Sequence, residues 1–169
     1  SLLALSGVHA QSLDPVRLAQ VKEFISQVRH PDQVDMLSAV RGIAPANTEA
    51  YVMAVADDPS QGGAVRLRSF GLLGNFNASP VVRAFLESRM ENSSLNESYR
   101  QMAVTSLVRA FYGTDPIGIE NALRRVQNTS SETMRLHASG ILENVRRGET
   151  KPAGEPQRHR HNGHQRHSR

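Results

Sequence analysis

Apolar residues recur at helical spacing along most of this chain. Leu18, Val21, Phe24, Ile25 and Val28 fall at offsets of three and four, as do Val81, Val82, Phe85 and Leu86, and again Ile119, Leu123 and Val126. That spacing places each set on one face of a helix. More apolar segments alternate with these: Val65, Leu67, Phe70, Leu72, Leu73 and Phe76; then Met102, Ala103, Leu107, Val108 and Phe111; then Met134, Ala138, Ile141, Leu142 and Val145. Short polar stretches separate them, at His30-Pro31-Asp32, Asp57-Asp58-Pro59-Ser60, Asn92-Ser93-Ser94 and Asn128-Thr129-Ser130. Alternation of period two is sustained nowhere, and the Asn162-Gly163 pair has no strand pattern beside it, so the chain reads as all-α with no sheet.

The helices come in pairs, and the pairs repeat. Pro15, Pro45, Pro80 and Pro116 lie 30, 35 and 36 residues apart. About 19 residues after each comes a second landmark, at Val34-Asp35, Val65-Arg66, Tyr99-Arg100 and Met134-Arg135. A fixed period in this range signals stacked repeats. Asp14-Pro15, Ser79-Pro80 and Asp115-Pro116 are helix starts: Asp or Ser caps free backbone N–H groups, and Pro in the first helical position forfeits no hydrogen bond. The start in the second repeat is softer, through Pro45, Asn47 and Thr48. Ser94 with Glu97, and Thr129 with Glu132, fit the capping-box pattern that opens a second helix. Gly71 and Gly140 each fall six residues after a landmark, and a glycine cost repeated at one position predicts close helix–helix approach there.

The segment from Val65 to Gly74, with Tyr99-Arg100-Gln101-Met102-Ala103 and Met134-Arg135-Leu136-His137-Ala138, resembles the second helix of a HEAT repeat in its short bacterial form. The resemblance covers about residues 13–147. It implies a right-handed α-solenoid of about four antiparallel helical hairpins, with the second helices lining the concave side. HEAT repeats often carry an Asp about six residues before the Arg, forming a polar ladder between repeats. Here Ser60, Ser94 and Thr129 stand at those positions, and Asp35 stands for the Arg of the first repeat, which then reads as a modified cap.

Composition narrows the function. With no Trp, three Tyr and five Phe, the chain lacks the aromatic platform on which bases stack. The net charge of +4 resides in the end of the chain. Residues 151–169 hold five basic side chains and one acid, whereas residues 1–150 hold 15 of each. There is no cysteine, which excludes thiolate chemistry and disulfides.

Three regions follow: a leader at 1–12, a helical repeat domain at 13–148 and a His/Arg-rich tail at 149–169. The leader is apolar and ends in Val8-His9-Ala10, with small residues at the −3 and −1 positions of a signal-peptidase site. It reads as the remnant of a signal peptide and predicts a periplasmic or secreted protein, or a cytoplasmic one if the segment is not a signal. No apolar run reaches the ~20 residues that span a bilayer, so no transmembrane segment is expected in the mature chain.

The repeat domain offers no reactive constellation. His30 reads as a loop residue and His137 as a helix-face residue, and neither belongs to a zinc-binding spacing. No catalytic residue and no cofactor is expected, and the chain is not read as an enzyme. Stacked hairpins make extended surfaces that bind other proteins. The expected function is a non-catalytic scaffold or adaptor for a partner protein or peptide, with no specific nucleic acid. Arg66, Arg100, Arg109 and Arg135 on the second helices are its candidate contacts. The alternative is a metal- or anion-binding envelope protein acting through the tail. There His159, His161, His164 and His167 supply imidazole donors, and the interleaved arginines favour anions, the more so as His protonates.

Overall fold

The computed structural model describes residues 12–30, 35–129 and 131–148. They form eight α-helices and, among the described residues, no strand. The helices are α1 (Pro15–Gln27), α2 (Met36–Ile43), α3 (Thr48–Asp57), α4 (Gly63–Leu73), α5 (Pro80–Glu91), α6 (Glu97–Phe111), α7 (Pro116–Thr129) and α8 (Glu132–Arg146). The leader up to residue 11 and the tail from residue 149 lie outside the described residues, and with them the expectations of a signal peptide and of a histidine site. No helix among the described residues is long and apolar enough to cross a membrane.

Local chemistry sets the helix starts. Pro15, Pro80 and Pro116 each open a helix. The preceding Asp14, Ser79 and Asp115 accept hydrogen bonds from the backbone N–H of Val16, Val82 and Gly118. Pro45 does not open one: α3 begins three residues later, after Asn47 in the left-handed conformation (φ 59°) that Asn tolerates. The two capping boxes do not form. Asn96, not Ser94, caps α6 by accepting from Ser98, and Ser131, not Thr129, caps α8 by accepting from Met134. Thr129 instead ends α7, its hydroxyl donating to the Arg125 carbonyl.

Helices pair as α3 with α4, α5 with α6 and α7 with α8, and the pairs pack in chain order. The even-numbered helices adjoin in the sequence α4, α6, α8, and the odd-numbered in the sequence α3, α5, α7. The aliphatic core runs through all three pairs, from Val52 and Leu73 through Leu86 and Leu107 to Leu123 and Leu142. Phe70, fully buried, joins two pairs, because its ring stacks 6.0 Å from both Phe85 and Tyr99. The first pair departs from this order. α1 packs on α2 but also on both α3 and α4. Arg68 of α4 donates to the carbonyl of Ile25, at the end of α1, at 2.9 Å. Asp35, which the repeat pattern aligns with the arginines, is the N-cap of α2 and accepts from Ser38. Its carboxylate is needed one residue ahead of the helix, not within its first turn.

The tight approach between helices is not where the recurrent glycines predict it. A Cβ on Gly71 would meet only the Met102 sulfur at 3.7 Å, an ordinary contact, and one on Gly140 would meet nothing. The close position is Gly74, where a Cβ would lie 3.2 Å from both the Gly71 carbonyl oxygen and the Ser106 Cα, and 3.3 Å from Arg109 Nε.

Candidate functional site

The charged residues divide by layer. On the odd-numbered helices, cations meet carboxylates across neighbouring pairs. Lys22 of α1 reaches Asp58 at the end of α3 (2.7 Å), and Arg89 of α5 grips Asp57 with two bonds of 2.8 and 2.5 Å. Arg125 of α7 holds Glu91 of α5 (2.8 Å), and Arg83 of α5 holds Asp115 ahead of α7 (2.9 Å). A ladder between repeats therefore exists, but it joins the ends of the first helices and not the Ser60, Ser94 and Thr129 positions. These contacts hold Asp58, Asp115 and Glu120 below the usual carboxylate range. The chief causes are the bond from Lys22 to Asp58, the backbone N–H of Gly118 on Asp115, and the Arg146 guanidinium on Glu120. A Cβ on Gly118 would meet the Asp115 carboxylate at 2.1 Å, so a side chain there would displace Asp115 from its place beside Arg83.

On the even-numbered helices Arg66, Arg68, Arg100 and Arg109 bond neutral acceptors, whereas Arg146 at the end of α8 pairs with Glu120 of α7 at 3.1 Å. Arg66, Arg100 and Arg135 occupy one register, each the fourth residue of its helix. Arg66 Nε donates to the carbonyl of Ala56 at 2.9 Å, and Arg100 Nε to that of Met90 at 3.0 Å. Each acceptor lies ten residues back, at the end of the partner helix, so the two arginines clamp their hairpins alike. Arg66 also stacks on Tyr99, its Cζ 4.3 Å from the ring centroid. Arg100 is only 5% exposed, and a guanidinium so enclosed offers little to a partner. Arg135 lies exposed on the first turn of α8.

Arg109 is different. It is half-buried near the end of α6, and its Nη2 donates to Asn75 Oδ1 at 2.8 Å. Burial away from water lowers its pKa, although it stays charged. Arg41, exposed on α2, stands over the neighbouring Phe76 ring at 5.9 Å. Among the described residues, Arg41, Arg66, Arg68 and Arg109 have no carboxylate within 4.0 Å. The sequence singled out Arg109 but not Arg41. Arg41 lies outside the repeat register, and only the fold brings α2 to the end of α4.

His137 is a packing group. Its Nε2 lies 3.1 Å from the Gln101 carbonyl oxygen and 3.3 Å from Thr105 Oγ1, so an N–H there ties α8 to α6. His30 is exposed beyond the end of α1. No group of three His, Asp or Glu side chains gathers as a metal site among the described residues. No family model matches the chain, and no curated protein or solved structure matches it either.

Proposed function

We propose that this chain is a non-catalytic scaffold of the HEAT-like, right-handed α-solenoid type, which binds a partner protein on the face formed by α4, α6 and α8. One observation carries the reading: among the described residues, Arg66, Arg68 and Arg109 on that layer have no carboxylate within 4.0 Å, while ion pairs join neighbouring pairs across the odd-numbered layer. Successive helix pairs with like clamps at Arg66 and Arg100 support the repeat architecture, because such stacks present one continuous surface. The apolar leader ending in Val8-His9-Ala10 supports export to the cell envelope.

A photo-crosslinking residue at Thr105 on α6, compared with one at Ser88 on α5, tests the assignment in native envelopes. A partner captured from position 105 and not from 88 is expected. Equal capture from both, or from neither, removes the proposed face. Calorimetry with zinc and copper on a chain lacking residues 151–169 separates the alternative, because metal or anion binding through the tail vanishes with the deletion while partner capture persists.

A further inference from the structure

We infer that the C-terminal turn of α4 is a carboxylate-binding subsite, where Arg41 of α2 and Arg109 of α6 receive an acidic side chain of a partner polypeptide. The inference rests on the docking face proposed above and names the chemistry that the face selects.

Arginine side chains from two other even-numbered helices reach this turn. Arg109 arrives from α6 on Asn75 at 2.8 Å, and Arg41 arrives from α2 over Phe76 at 5.9 Å. Two like charges are thus directed at consecutive residues. A guanidinium at a helix end often serves the last carbonyls of that helix. Here those carbonyls are already taken: the N–H groups of Gly74, Asn75 and Phe76 bond the carbonyls of Gly71, Leu72 and Leu73, each at 3.1 Å. Arg109 binds an amide oxygen instead, which uses one of its five donors. Gly74 sets its position, since any Cβ would press on its Nε at 3.3 Å.

Planar guanidiniums recognise carboxylates through paired N–H donors, and partial burial strengthens that bond. A polyanion needs a broader field. Nucleic acid is held through many phosphate contacts on a basic surface, yet residues 1–150 carry equal numbers of acids and bases, 15 each. A local pair of arginines in a neutral body fits a discrete carboxylate better than a phosphate chain.

Random linear peptides displayed on phage and selected on the full chain supply the probe. The best binder is labelled with fluorescein and compared, by polarisation, with a copy in which Asn and Gln replace Asp and Glu. Enrichment in acidic residues is expected. Arg41→Gln and Arg109→Gln should each weaken the acidic peptide about tenfold, and the amide copy should bind all variants alike. Arg41 is exposed, so its variant tests the site even if Arg109→Gln disturbs the packing of α6. Binders without acidic enrichment, or indifferent to Arg41→Gln, overturn the subsite but leave the scaffold reading standing. Inorganic polyphosphate that displaces the peptide and shows the stronger dependence on both arginines overturns the carboxylate assignment. Failure to select any peptide counts against both readings.

Discussion

The two layers of this molecule use the same residue, arginine, in opposite ways. Arg89 and Arg125, on odd-numbered helices, spend their charge on Asp57 and Glu91 of the neighbouring pair. Arg66 and Arg100, on even-numbered helices, donate hydrogen bonds to the carbonyls of Ala56 and Met90 within their own pair. The first arrangement ties neighbour to neighbour through bonds that salt and acid weaken. The second closes each hairpin on itself. Neighbouring pairs are thus joined by ion pairs in the odd-numbered layer and by neutral bonds, such as Ser106 to the Phe70 carbonyl, in the even-numbered one.

Arg100 gives the sharpest test of that division. Replacing it with Ala removes a buried hydrogen bond and the packing of its stem, and should cost about 2–3 kcal/mol in urea unfolding. Arg89→Ala, in the exposed ladder, should cost about 1 kcal/mol or less. Equal costs would erase the contrast between the layers. Next in size is Gly74→Ala, where backbone lies on two sides of the new methyl. Overpacking there should destabilise by about 1–2 kcal/mol and should weaken any acidic peptide through Arg109.

Acid should loosen the odd-numbered layer first. Asp58, Asp115 and Glu120 have folded pKa values below their ordinary ones, so their contribution is complete at neutral pH. It is lost as pH falls from about 4 toward those lower values, because the unfolded chain takes up protons first. Thermal midpoints that rose on acidification below pH 4 would contradict the ladder. The smallest effect belongs to a double-mutant cycle on Asp57 and Arg89, with a coupling of about 0.5 kcal/mol that fades in molar salt. Coupling that persisted in salt would mean that the pair acts through packing.

The alternation of helices was legible in the sequence because Pro15, Pro80 and Pro116 act through local sterics that no tertiary contact can reverse. The softer second start, through Pro45, Asn47 and Thr48, was legible too: Asn47 flanks α3 and Thr48 opens it, while Pro45 sits in the connection ahead of the helix. The Ser94 and Thr129 boxes matched the pattern, but Asn96 and Ser131 lie nearer the helices and took the role, leaving Glu97 to accept from Ser131 of the next pair. The arginine register was readable, since Arg66, Arg100 and Arg135 all stand fourth in their helices. Their partners were not, because a backbone carbonyl carries no signature in the sequence. Arg41 was invisible for a related reason: its place depends on how α1 and α2 depart from the repeat.

That departure bears on the order in which the chain folds. Within α5–α6 and α7–α8, contacts join residues that are near neighbours along the chain, and such contacts form early because little chain entropy is lost in making them. The docking of α1 on α3 and α4 closes longer loops, such as those joining Lys22 to Asp58 and Ile25 to Arg68. The expected order is therefore hairpins first and the stacking of pairs afterwards, with α1 docking over distances along the chain like those that join the later pairs.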